Sequence, residues 1–183
     1  MKKILWVTTI VFSMGIGAYS AMYVQNALAQ TNQWVVAESV ENTIKTTSDM
    51  IKALKPELDP VISDAIAEAV DVECNKLNLP TELVLAVMAR ESSFRSMSTS
   101  SANCVGLMQI NPKAHVGLCS PYSRAELYHI EPNIKIGCAI LGEYMRSSDS
   151  IQKALKRYVG GNHQGYVTDV LATYAELMLK KEL

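Results

Sequence analysis

The chain has 183 residues, 49% hydrophobic and 19% charged, with a formal net charge of -1 at pH 7. That suffices for one globular domain with a true core and room for extra segments. The near-neutral balance excludes a nucleic-acid footprint, which needs Lys and Arg clustered on one face; Lys180 and Lys181 instead offset the dipole of a closing helix.

The N-terminus carries a compartment signal. Lys2 and Lys3 precede an apolar run from Ile4 to about Val24, and Ala27-Leu28-Ala29 offers small residues where a signal peptidase reads, leaving Gln30 as the first mature residue. The run is also long enough for an uncleaved membrane anchor. Ser13, Gly15, Gly17 and Ser20 dilute it and favour cleavage. Both readings export the domain, so the periplasm or cell envelope is the expected compartment, with membrane contact only through this segment.

Residues 1–29 are therefore read as leader or anchor, 30–58 as a helical or linker segment and 59–183 as the main domain. In the second part Val40, Ile44, Ile51, Leu54 and Leu58 form a helical stripe, ended by Lys55-Pro56. Asp59-Pro60 is an N-cap followed by proline at the first helical position. The helix so opened runs to about Leu77, with Val61, Ile62, Ala65, Ile66, Ala69, Val70 and Leu77 available for its buried face. Asn78-Leu79-Pro80 breaks it. Pro80-Thr81 opens the next helix, which carries Leu83, Val84, Val87, Met88 and finally Glu91. Residues 92–104, rich in serine, read as loop.

Gly106 to Ile110 is expected to begin a short helix that Pro112 stops. Ser123 and Glu126 have the spacing of a capping box. Glu131-Pro132-Asn133 starts a helix through Ile134, Ile136, Ile140, Leu141 and Tyr144, and Ile151 to Tyr158 forms another. After the turn Gly160-Gly161-Asn162-His163, a last helix spans Tyr166 to Leu179 with Val167, Val170, Leu171, Tyr174 and Met178 on one face. Strand-period alternation is missing, so the predicted fold is all-α with at most a minor β element.

The even cysteine count fits an exported chain with two disulfides. Cys119, in a loop, and Cys138, near the start of the following helix, form the favoured bridge, which leaves Cys74 with Cys104. Buried free thiols are the alternative. No C-x-x-C pair occurs and the histidines are scattered, so neither a metal nor a cofactor is expected.

Glu91 is the candidate for chemistry. A lone acid packed against apolar residues is the arrangement that raises a carboxyl pKa and makes a general acid. As a surface glutamate it would oppose the dipole of its own helix end. Ser92 and Ser93 have no histidine placed to activate them and are read as stiffening the turn.

The motif E-S-x-F at Glu91, a serine-rich loop, then G-L-M-Q-I-x-P from Gly106 resembles the lysozyme-like lytic transglycosylases of the soluble type, akin to goose-type lysozyme. Glu131 to Gly137, the segment Ala154 to Gly161, and Tyr166-Val167 resemble later family elements in order and spacing. The resemblance covers about Asp59 to Leu179. It implies that Glu91 protonates the glycosidic oxygen between N-acetylmuramic acid and N-acetylglucosamine in peptidoglycan glycan strands. Glu91 would then take the proton from the muramyl C6 hydroxyl, giving a 1,6-anhydro end. It further implies that Gln109 bonds sugar or N-acetyl groups, that Met108 gives an apolar contact or packs in the core, and that the Tyr158 hydroxyl orients the acid. Asn162 and Tyr166 are candidates for lining the cleft, and Asn133 for a structural cap. Asn103, Cys104 and Val159 depart from the family pattern. The alternatives are a goose-type lysozyme hydrolysing the same bond and a catalytically silent wall-binding module.

Overall fold

The computed structural model describes residues 46–181, which lie in a compact unit running from Thr43 to Leu183. The expected leader and the stripe positions Val40 and Ile44 fall outside the described residues. Residues 46–54 are helical and pack into the unit rather than beside it. Ile51 is fully buried, Thr47 bonds Asp71 at 2.8 Å, and the Ser48 hydroxyl meets that of Ser63 at 3.1 Å. The compact unit thus takes in residues upstream of position 59.

Asp59 caps helix α1 (Pro60–Leu77), its side chain accepting the backbone N–H groups of Val61 and Ile62. The buried stripe of α1 is Ser63, Ile66, Ala67, Val70 and Cys74, at the three- and four-residue spacing of one helical face. Val61 and Ile62, expected inside, are exposed. The polar meeting of Ser48 with Ser63 turns the first turn of α1 that way, so the inner position belongs to a serine. Asn78, in the left-handed conformation at φ 53°, ends the helix.

Helix α2 (Thr81–Ser92) is buried without interruption from Glu82 to Met88. A helix enclosed on every side is a core axis rather than an amphipathic cover. Ser93 and Phe94, at φ 50° and 62°, end it and reverse the chain.

The expected short helix over Gly106 to Ile110 does not form. Val105 and Ile110 instead exchange both backbone hydrogen bonds, each at 2.9 Å, and Val105 also bridges Thr99. The left-handed conformations of Gly106 (φ 78°) and Gln109 (φ 49°) close this loop tightly and are incompatible with a helix. These bridges are the minor β element.

Beyond a single turn, α3 (Val116–Cys119), comes a 3-10 turn over Glu126–Tyr128. The Ser123 hydroxyl and the Glu126 carboxylate cap it reciprocally, as their spacing predicts. Helices α4 (Ile130–Arg146), α5 (Ile151–Tyr158) and α6 (Gln164–Lys181) follow. α4 packs on α1 and on α5, while α6 packs on α2 and α5. On α6 Val167, Val170 and Leu177 are buried, and Leu177 takes the inner position expected of Met178.

All four cysteines are free thiols. The expected Cys119–Cys138 and Cys74–Cys104 bridges are not formed. Cys138 sits on the side of α4 that packs against α1, with its thiol beside that of Cys74; this neighbour and burial push the Cys138 thiol pKa well up. Helical phase, which loop proximity does not reveal, decides which thiols meet.

Candidate active site

Glu91 lies in the last turn of α2, where the backbone carbonyls converge and disfavour a negative charge. The core-forming sequence of α2 carries this carboxyl to the rim of an open cleft of 570 Å³. Ser100, Gln109, Val159, His163, Tyr166 and Arg90 also line that cleft. Burial pushes the Glu91 pKa up to about 7, against the lowering effects of a hydroxyl from Tyr166 and the guanidinium of Arg90.

The Tyr166 Oη donates to Glu91 Oε1 at 2.7 Å. Tyr166 stands in the first turn of α6, so the packing of α6 on α2 delivers the hydroxyl to the acid. Burial, then the charge of Glu91, holds the Tyr166 phenol well above its usual range, so it stays a donor. Arg90 lies with its guanidinium 5.7 Å from the Tyr166 ring centroid and pairs with Asp169 at 3.1 Å. Tyr158, expected to orient the acid, uses its hydroxyl elsewhere: Oη donates to the Met108 carbonyl at 2.9 Å. The acid's hydroxyl partner is thus Tyr166, and Tyr158 braces the wall behind the cleft.

That wall is the Val105–Ile110 loop, and Asn133 organises it. Fully buried, Asn133 donates Nδ2 to the carbonyls of Val105 (3.0 Å) and Leu127 (2.7 Å) and accepts the Met108 N–H at Oδ1 (2.8 Å). It is a bridge between segments rather than a helix cap. Glycine is required at position 106, where a Cβ would stand 2.1 Å from Asn133 Nδ2. Met108 is fully buried, with its side chain against Gly137, where a Cβ would lie 2.3 Å from the sulfur. Met108 is therefore a core residue rather than a cleft contact.

Gln109 does line the cleft. Its Nε2 donates to the carbonyls of Ser98 (3.3 Å) and Gly106 (3.0 Å), which leaves the amide oxygen toward the open space. Asn162 is exposed and outside the lining; its neighbour His163 is in it. The contributions of Arg90, Ser100, Val159 and His163 escaped the sequence reading. For His163 the available signal was its place after the Gly160-Gly161 turn, just ahead of the helix bearing Tyr166. Glu91 is the one carboxylate lining this cleft. Among the described residues no group of three His, Cys, Asp or Glu side chains is placed to hold a metal ion.

The transglycosylase SLT domain family matches residues 68–170 of this chain. Among solved structures the chain is similar to an inactive mutant of lytic transglycosylase Slt from Pseudomonas aeruginosa. Identity there is 17% and the TM-score 0.51, over 62% of this chain and 24% of that one. A second similar structure is the 70 kDa soluble lytic transglycosylase of Escherichia coli, with 19% identity, a TM-score of 0.48, and coverage of 75% and 24% respectively. This chain thus spans about a quarter of the length of each, and the likeness to the first speaks to the fold. No curated protein matches.

Proposed function

Because this chain belongs to the transglycosylase SLT domain family, we propose that it is an exported peptidoglycan lytic transglycosylase acting through Glu91. The observation that carries this reading is one largely buried carboxyl with a pKa of about 7, alone among the residues lining its cleft. At neutral pH such a group is populated both as acid and as base, as a residue serving both roles requires. With Oε1 occupied by the Tyr166 hydroxyl, Oε2 is the oxygen that carries the proton to the glycosidic oxygen.

As that bond breaks, positive charge develops at C1 of the muramyl residue, and Glu91 becomes a carboxylate that the Tyr166 bond stabilises. The carboxylate then removes the proton from the C6 hydroxyl, whose oxygen bonds C1 and closes the 1,6-anhydro ring. Glu91 ends protonated, so the cycle balances without water. Glycosidases that use two carboxylates place them on opposite sides of the scissile bond; a substrate supplying its own nucleophile needs only one.

Gln109, with its amide oxygen open to the cleft, is the sugar-binding residue of this reading. The discriminating experiment is mass spectrometry of the muropeptides released from peptidoglycan. Products one water lighter than hydrolysed ends support the transglycosylase. Hydrolysed ends would assign a lysozyme, and no release would leave a wall-binding module. Glu91→Gln should abolish release.

A further inference from the structure

Tyr166 meets Glu91 with its hydroxyl, and a second set of contacts holds the same side chain by its ring. Arg90 and Glu91 are consecutive on α2, so their side chains leave the helix about 100° apart. Glu91 takes the Tyr166 hydroxyl at 2.7 Å, while the Arg90 guanidinium lies over the ring, 5.7 Å from its centroid. Arg90 Nε also donates to Asp169 Oδ2 at 3.1 Å. Asp169 follows Tyr166 by three positions on α6, which puts the two on one face of that helix. Glu91, Tyr166, Arg90 and Asp169 thus close a circuit of contacts between the end of α2 and the start of α6. We propose that Arg90 and Asp169 are positioning residues for the reaction, holding the Tyr166 hydroxyl on the Glu91 carboxyl. This rests on Glu91 as the acid and deepens that reading.

The start of α6 is where such a hold matters. Residues 160–165 are all exposed and include Gly160, Gly161 and Gly165, so little side-chain packing fixes the chain that leads into Tyr166. An ion pair at Asp169 ties the first turns of α6 to the end of α2. Its side chains are 48% and 59% exposed, and pairs of that kind add little to folding stability. The consequence of the pair lies in direction instead. A planar guanidinium can bond a carboxylate and lie over an aromatic face at once, a geometry that a lysine ammonium lacks.

The charged and titratable groups around Glu91 are Arg90 on its own helix, Tyr166 and Asp169 on α6, Tyr158 on α5, and His163 in the turn ahead of α6. The Tyr166 hydroxyl and Arg90 both lower the Glu91 pKa against burial. Removing the charge of Asp169 therefore acts on Glu91 in opposite directions by two routes. Through space, loss of a negative charge favours the carboxylate and lowers its pKa. Through Arg90 and Tyr166, loss of the anchor loosens the hydroxyl bond and raises it.

Asp169→Asn is accordingly the deciding variant, read by carbon-13 NMR titration of the Glu91 carboxyl in the full chain. The midpoint should rise by about half a unit, a part of what losing the whole hydrogen bond would give. On a Tyr166→Phe background the same substitution should give no rise, because the route through the hydroxyl is gone. A fall or no change where Tyr166 is kept, or an equal rise without the hydroxyl, would overturn the proposal. The Tm of Asp169→Asn should match wild type; a large loss would make the pair a structural brace and overturn it too. On peptidoglycan, Arg90→Lys keeps the charge without the planar fork and should lower kcat about threefold at unchanged KM. A raised KM at unchanged kcat would make Arg90 a substrate contact instead. The titration needs no turnover, so it decides the positioning even where muropeptide products refute the transglycosylase reading.

Discussion

Glu91→Gln should make the folded protein more stable, by an amount that depends on pH. Burial raises the Glu91 pKa from 4.5 to about 7, so between these values the folded state keeps a proton that the unfolded state releases. Stability therefore falls as pH rises through this window, and the full cost is present above pH 7. A shift of that size corresponds to about 3 kcal/mol. Glutamine is the neutral isostere of the protonated acid, and its amide oxygen can still accept the Tyr166 hydroxyl. The variant should match wild type at pH 4 and exceed it by about 3 kcal/mol at pH 8, roughly 10 °C in Tm for a domain of this size. Urea or thermal unfolding of the two proteins across pH 4 to 8 measures this directly, since every other titrating group is common to both. A constant difference across the range, or no advantage at pH 8, would refute the burial argument and with it the poised acid.

Removing the hydroxyl alone, in Tyr166→Phe, takes away a bond that favours the carboxylate. The basic limb of the pH–rate profile should therefore move up by about one unit, as expected for a hydrogen bond to a charged group; a downward move would contradict the geometry. Asn133→Ala would strip partners from two buried carbonyls and one N–H. A loss of about 3 kcal/mol or more is expected in denaturant unfolding, and a loss under 1 kcal/mol would mean that water replaces the bridge. Oxidation with glutathione disulfide should join Cys74 to Cys138, whose thiols already meet. Closing a loop of about 65 residues contributes on the order of 4 kcal/mol in the chain-entropy view. Non-reducing peptide mapping checks the pairing, and a Cys119–Cys138 peptide would count against it.

Much of this molecule was legible from local rules. Asp59-Pro60, Asn78, the Ser123/Glu126 box and the helix from Ile151 to Tyr158 depend on residues within a turn or two of one another, so sequence spacing captured them. Glu91 was legible for the same reason: one acid at the end of an unbroken apolar helix has few other places to go.

Contacts across the chain were settled only by tertiary packing. Which tyrosine reaches the acid depends on how α6 lies on α2, and a tyrosine 75 positions from Glu91 carries no local mark of that meeting. The family resemblance implies cleft roles for Tyr158 and Met108, yet the loop bearing Met108 is held from behind by Asn133 and by the Tyr158 hydroxyl, which turns the Met108 side chain into the core. The thiol pairing follows helical phase between α1 and α4. Sequence by itself determined an all-helical domain with one poised acid, because periodicity and capping act over a few residues. The environment of that acid, and hence its pKa of about 7, came from tertiary structure, because burial and hydrogen bonding are set by whatever the fold brings alongside.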